Sequence, residues 1–290
     1  MNEVQRTLGV IGGSGLYELE RLTDVEELET TTPFGAPSDA IIAGTIGSTR
    51  LLFLPRHGRG HRIPPHRINY RANVLALKMA GAEQILSVSA VGSMKEGIHP
   101  GDMIIVDQFI DRTRHRIDTF FDDDGVVAHV GFGEPIDAQL ASSLAGAAKR
   151  TGATVHEGGV YLCMEGPQFS TRAESELYRS WGVSVIGMTN LPEARLAREA
   201  ELPYATLAMA TDYDCWHEGH DAVTVNAVIA VMQGNVAKAK EIIVELAEVV
   251  PYPTGRPAAS ALAGAIITNP DSISVAARDK LRPLIGKYVP

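Results

Sequence analysis

The chain has 290 residues, 45% of them hydrophobic and 21% charged, the profile expected of a soluble globular protein with a large core. Its 26 basic and 35 acidic residues give a net charge of −9, which argues against nucleic acid and anionic membranes as partners. No stretch reaches the roughly 18 uninterrupted apolar residues of a membrane span. The first residues lead into an apolar run without signal-peptide architecture. Cys163 and Cys215 each lie in an apolar stretch and read as buried free thiols, so a cytoplasmic location is expected.

From the N-terminus, apolar runs rich in β-branched residues alternate with helical patterns. Runs at 8–11, 51–54, 85–91, 103–106, 160–164, 183–188 and 204–209 predict strands buried on both faces. Helices are expected between them. Tyr70, Val74 and Leu77 share one stripe over 69–81. Thr171 with Glu174 spells a capping box at the start of 171–181, and Asn190 with Glu193 spells another. Over 225–250, Val225, Val228, Ile229, Met232, Val236, Ile243 and Leu246 fall near a 3.6-residue period. The alternation predicts an α/β fold, a three-layer α/β/α sandwich around a mixed, largely parallel sheet. No internal repeat interrupts it, and the domain is taken as 1–250. The Pro- and Gly-rich run at 251–257 breaks the last helix. Residues 251–290, with a short helical pattern near 275–285, read as an appendage laid on the domain or on a neighbouring subunit.

Several strand ends carry reactive residue types. Gly12, Gly13, Ser14 and Gly15 follow the first strand, where small residues let backbone N–H groups approach an anion and Ser14 adds a hydroxyl. The same spelling makes a plain tight turn, and it lacks both the third glycine of a dinucleotide fingerprint and a Walker lysine. After 51–54 come Arg56, His57, Arg59, His61 and Arg62, an unusual concentration of positive charge in an acidic chain. It reads as an anion site at a strand end or as a solvated basic loop. A metal held by His57, His61 and His66 is disfavoured by the surrounding cations and the lack of a carboxylate. Ser87, Ser89, Ala90 and Ser93 close the strand at 85–91 and form either donors to the same anion or a turn. Asp212 and Asp214 follow the strand at 204–209, where they flank a ligand, bind a cation or sit solvated. Burial would let one of them keep its proton near neutral pH. Phe169 and Met188, each beside a hydroxyl residue at a strand-to-turn junction, sandwich a flat ring and a sugar face or pack as core.

In order along the chain, the segments 12–16, 32–39, 56–58, 69–73, 100–102, 107–113, 165–167, 172–174, 188–189 and 208–216 resemble one family closely. It is the 5′-methylthioadenosine phosphorylases, among the trimeric purine nucleoside phosphorylases, and the resemblance spans about residues 7–250. It implies the three-layer fold, assembly as a homotrimer or a dimer of trimers, and a small-molecule nucleoside as substrate. The implied reaction converts methylthioadenosine and phosphate reversibly to adenine and 5-methylthioribose 1-phosphate. Inorganic phosphate is a co-substrate, and no cofactor or metal is implied. By motif position, Ser14, Arg56, His57, Ser89, Ala90 and Thr189 would hold phosphate. Phe169, Ile186 and Met188 would pack against base and ribose, with Asp212 and Asp214 reading adenine. Val225, Val228 and Ile229 would surround the methylthio group, and His129 would be lent to the next subunit's site.

Cleaving the C1′–N9 bond leaves an oxocarbenium-like sugar and pushes electrons into the purine, so it needs a proton donor at N7 and an anion near C1′. Asp212 is the expected donor, with Asp214 supporting it or reading the 6-amino group. An ionised aspartate accepts from an amine but cannot donate to a 6-oxo group. A 6-oxopurine or methylthioinosine phosphorylase is the alternative within the family. A nucleoside hydrolase and a silent nucleoside-binding protein are the alternatives outside it. Three departures stand out: Ser14 and Ser89 where some relatives carry threonine, Gly187 where relatives can carry asparagine, and residues 251–290 outside the resemblance. The glycine is expected to loosen the wall beside Met188.

Overall fold

A computed structural model describes residues 6–13, 15–122, 125–217 and 225–289, with the backbone alone at 225–230. Its strands are β1 (Arg6–Gly12), β2 (Thr23–Leu28), β3 (Ile41–Ile46), β4 (Thr49–Pro55), β5 (Gln84–Ser93), β6 (Met103–Ile105), β7 (Gln108–Arg112), β8 (Val155–Glu157), β9 (Val160–Met164), β10 (Val185–Gly187) and β11 (Tyr204–Asp212). Its helices are α1 (Tyr70–Met79), α2 (Ala138–Arg150), α3 (Arg172–Ser180), α4 (Asn190–Glu199), α5 (Val225–Ala247) and α6 (Val275–Ile285).

All the strands belong to one mixed sheet, and each of the seven expected runs contributes one of them. Their side chains are almost uniformly buried because α1 packs with α4 and α2 with α5 to form the outer layers. The three-layer α/β/α class expected from the alternation is the class observed. β2, β3, β7, β8 and α2 were not expected. β2 is exposed along nearly its whole length, so its sequence carries no apolar run. In α2 the helix is started by Asp137, whose side chain accepts from the Leu140 N–H at 2.9 Å, and most of its buried positions are alanines.

The site follows from how the sheet forks at β5. β11 runs parallel along one edge of β5 from Ile85 to Gly92. The other edge is shared: β1 ends its pairing at Ser87, and β10 begins an antiparallel pairing at Gly92. Among the described residues, 88–91 therefore have no strand partner on that edge, and their backbone groups are left for side chains or a ligand.

Two capping boxes were expected at helix starts. Thr171 and Glu174 form theirs, with both reciprocal bonds present. Asn190 and Glu193 do not. Thr189 stands at the cap position of α4 without a side-chain capping bond, and the side chains of Asn190 and Glu193 turn into the core. Asn190 donates to Ser87 Oγ at 2.8 Å and to the Tyr204 hydroxyl at 2.6 Å.

Beyond α5, Leu262, Ile273, Leu281, Leu284 and Ile285 are buried in the main core of the same chain. Arg256, 3% exposed, donates to Asp137 at 2.5 Å and to Gln84 at 2.6 Å. Ala128 and Ile266 form an isolated bridge, and the Tyr288 hydroxyl donates to Glu201 at 2.5 Å. Residues 251–289 thus lie along their own domain. Among the described residues, no helix is long and apolar enough to cross a membrane.

Candidate active site

A cavity of about 450 Å³ opens where β5 loses its partner. Its volume lies in the range of small-ligand pockets, typically about 300–1,000 Å³. Arg56, His57, Ser89, Ala90, Phe169, Ile186, Met188, Thr189, Asp212 and Asp214 all line it, gathered from five places in the sequence. Ser14 and the side chains of Val225, Val228 and Ile229 lie outside the described residues. Further along α5, Met232 and Val236 do line the cavity. His129 does not. It faces a separate cavity of about 310 Å³ with Asp118, Arg195 and Glu199.

At one end are hydroxyls and basic side chains. Ser89 Oγ stands 3.2 Å from Thr189 Oγ1. Arg56, expected to hold phosphate, is 2% exposed and already paired. Its Nε and Nη2 donate to the two carboxylate oxygens of Glu193 at 2.8 and 2.9 Å. Nη2 also lies 3.1 Å from the Ile11 carbonyl and 2.7 Å from Ser87 Oγ, and Nη1 donates to the Val88 carbonyl at 3.0 Å. Burial works against the charge, but attraction to Glu193 and the hydrogen bonds to it outweigh burial and hold the guanidinium pKa up. The ion pair is close to neutral as a unit, and Nη1 keeps a second N–H beyond its bond to Val88.

His57 is also less cationic than its neighbours suggest. Burial, with a smaller contribution from Arg56, lowers its pKa to about 4 against the pull of the Ile63 carbonyl. The ring is therefore neutral at pH 7. Nδ1 lies 2.8 Å from the Ile63 carbonyl, so the proton belongs there and Nε2 is left as an acceptor. The ring stacks on His61, with centroids 4.1 Å apart.

At the other end are two carboxyls. Asp212 accepts from the Thr211 hydroxyl at 2.7 Å and from the Asp214 N–H at 2.8 Å. Asp214 accepts from the Ser175 hydroxyl at 2.6 Å and holds a left-handed φ of 54°. Burial raises the pKa of both, and for Asp214 the charge of Asp212 adds to the rise. The rise favours the protonated form, and a carboxyl that keeps its proton can donate to a ring nitrogen while its partner accepts from an amine.

The wall between the two ends is tight. A Cβ at Gly166, where φ is 67°, would lie 2.5 Å from the Met188 sulfur. Gly187 does not loosen this wall as expected, because a Cβ there would lie 2.0 Å from the Tyr161 hydroxyl, which fills the space. Phe169, 58% exposed, sits at the open side.

Three supporting residues escaped the sequence reading. Glu193 spells a helix cap with Asn190, and Tyr161 lies within the apolar run at 160–164. Arg116 carried no local signal. Its side chain is 2% exposed and donates to the Met188 and Leu191 carbonyls at 2.7 Å each and to the Glu165 carbonyl at 2.6 Å. It thereby ties the turn after β9 to the turn after β10.

The model of the phosphorylase superfamily matches residues 7–248. The S-methyl-5′-thioadenosine phosphorylase of Geobacter sulfurreducens is 56% identical over 99% of this chain and 100% of its own length. The protein of that name from Thermosynechococcus vestitus is 54% identical over 97% of this chain and 99% of its own. Among solved structures, a methylthioadenosine phosphorylase from an Antarctic soil metagenomic library superposes with a TM-score of 0.92. It is 42% identical and covers 97% of this chain and 99% of that one. The methylthioadenosine phosphorylase of Schistosoma mansoni in complex with adenine gives a TM-score of 0.82 at 34% identity, covering 90% of this chain and 99% of that one. A family model spanning most of the chain and relatives matched along nearly their whole length place the chain in the phosphorylase superfamily.

Proposed function

We propose that the chain catalyses the reversible phosphorolysis of 5′-methylthioadenosine to adenine and 5-methylthioribose 1-phosphate. The observation that carries this reading is the polarity of one cavity, with hydroxyl donors at one end and a pair of buried carboxyls with raised pKa values at the other. Relatives named for the reaction, matched end to end, support it.

In this reading phosphate lies against Ser89, Ala90 and Thr189, near the unpaired edge of β5. The remaining Nη1 hydrogen of Arg56 reaches it, and neutral His57 accepts at Nε2 from a protonated phosphate oxygen. Because Glu193 balances Arg56, binding relies on directed hydrogen bonds more than on excess charge. A phosphate oxygen bonds to C1′ as the C1′–N9 bond breaks and its electron pair enters the purine. Asp212 delivers its proton to N7, so adenine leaves neutral, and the carboxylate regains a proton from solvent. Asp214 accepts from the 6-amino group. Phe169, Ile186 and Met188 enclose base and ribose. Met232 and Val236 continue the apolar face of α5 toward the methylthio group, with Val225, Val228 and Ile229 assigned to the same pocket. Such a pocket disfavours a 5′-hydroxyl by about 10–100-fold, so adenosine is expected to be a poorer substrate.

Assembly as a homotrimer or dimer of trimers belongs to the same proposal, with His129 serving a neighbouring site. Ile117, Val127 and Ile267 are exposed, and the Ile267 N–H donates to the Val127 carbonyl at 2.8 Å, so two of these apolar side chains sit together. A cytoplasmic setting suits the free thiols Cys163 and Cys215. Inorganic phosphate enters as co-substrate, and the proposed chemistry calls for no resident cofactor.

The test is product analysis with methylthioadenosine and methylthioinosine in parallel. Adenine and pentose 1-phosphate in equal amounts, with little hypoxanthine, are expected. Preferential hypoxanthine release would overturn the reading of the base by the two aspartates.

A further inference from the structure

Tyr161 on β9 is fully buried and stands behind the cavity wall, not among the lining side chains. Its hydroxyl lies 3.2 Å from Ser89 Oγ and accepts from the Thr189 backbone N–H at 3.5 Å. The ring is held edge-on to Phe109, with centroids 5.8 Å apart. At Gly187 an added Cβ would lie 2.0 Å from the hydroxyl oxygen and 2.6 Å from Cζ. Tyr161 and Gly187 therefore share one volume, and the phenol keeps its place only while position 187 has no side chain.

These contacts give the hydroxyl chain a direction. With the Thr189 N–H aimed at the phenol oxygen, the phenol proton is free to go to Ser89 Oγ. Ser89 then has its own proton left for an anion in the cavity, for Thr189 Oγ1 at 3.2 Å or for the more distant Ala90 carbonyl at 3.4 Å. Burial pushes the phenol pKa up to about 12, so the group stays a donor across the neutral range. Successive hydroxyls polarise one another, which strengthens the final donor.

We propose that Tyr161 is a positioning residue for phosphate, orienting the Ser89 and Thr189 hydroxyls toward the anion, with Gly187 providing the room it occupies. The inference rests on the phosphorolysis reading of this cavity.

Initial rates of Tyr161→Phe, with phosphate and nucleoside varied separately, test it. Loss of one orienting hydrogen bond is expected to raise the phosphate KM by about 3–10-fold while the nucleoside KM stays within about two-fold. Adding the change to Ser89→Ala should raise the phosphate KM no further, because Tyr161 acts through Ser89. Gly187→Ala, which displaces the phenol without removing it, should raise the phosphate KM in the same selective way. It decides the matter if Tyr161→Phe does not fold. An unmoved phosphate KM, an equal rise in both KM values, or additive effects with Ser89→Ala would each overturn the role given to Tyr161. Wild-type turnover that ignores phosphate removes the phosphorolysis reading itself. Phosphate-saturable wild type beside an unaffected Tyr161→Phe removes the Tyr161 inference alone.

Discussion

Arg56 and Glu193 form an ion pair with side-chain exposures of 2% and 0%, so neither charge has water to fall back on. Replacing Glu193 by glutamine keeps one carbonyl acceptor but leaves the guanidinium charge uncompensated. Breaking such a pair from one side costs about 3–5 kcal/mol, and the retained acceptor puts this variant near the lower value. At about 2.1 cal/mol/K per residue, 290 residues unfold with an entropy of ~0.6 kcal/mol/K, so a loss of about 3 kcal/mol lowers Tm by ~5 °C. The freed charge also faces the proposed anion site, so phosphate should bind the variant's folded state more strongly. A ligand at 100 times its Kd stabilises by about 2.7 kcal/mol, enough to recover most of the loss. Thermal unfolding of wild type and Glu193→Gln, in phosphate-free buffer and across a phosphate titration, reads both effects. A Tm drop below about 2 °C, or equal stabilisation of the two proteins by phosphate, would refute the reasoning.

Glu199 is 7% exposed, and burial pushes its pKa from 4.5 to about 7. The folded state therefore holds a proton that the unfolded chain releases, and stability falls as pH rises between those values. Tm is expected to be lower at pH 8 than at pH 5 with a contribution of up to about 3 kcal/mol from this group, and Glu199→Gln should flatten the dependence. Burial raises the Cys163 pKa to about 12, whereas Cys215 is partly exposed. A chromogenic thiol reagent is thus expected to titrate Cys215 slowly in the native protein and Cys163 only after denaturation. Immediate reaction of both would contradict the burial. Truncation after Val250 removes the buried Leu262, Leu281, Leu284 and Ile285. At about 2–5 kcal/mol per large buried side chain, the loss rivals the whole stability of a domain. The truncated chain should not fold, and a cooperative transition at the wild-type Tm would refute this.

What the sequence disclosed followed physical range. The buried strands were legible because burial on both faces leaves a mostly apolar run, as in β5 and β11. β2 was not, since an exposed strand needs no apolar residues. Ser89, Thr189, Asp212 and Asp214 were visible as polar residues at the ends of apolar runs, and the cavity brings them together. Their electrical state was hidden. Arg56 reads as a cation for a ligand until Glu193, 137 residues away, is seen to hold it. The spacing of Asn190 and Glu193 matched a helix cap, but a local pattern cannot reveal a distant guanidinium or the Ser87 and Tyr204 hydroxyls that compete for the same groups. Gly187 suggested slack in the wall for the same reason. The tyrosine that fills the gap lies on the neighbouring strand.

Phosphorolysis is tested most directly by measuring adenine release from methylthioadenosine as phosphate is titrated from zero. Release should be negligible without phosphate, rise to saturation as phosphate is added, and match the amount of 5-methylthioribose 1-phosphate formed. Adenine release at an undiminished rate in phosphate-free buffer, with free methylthioribose as the sugar product, would contradict it.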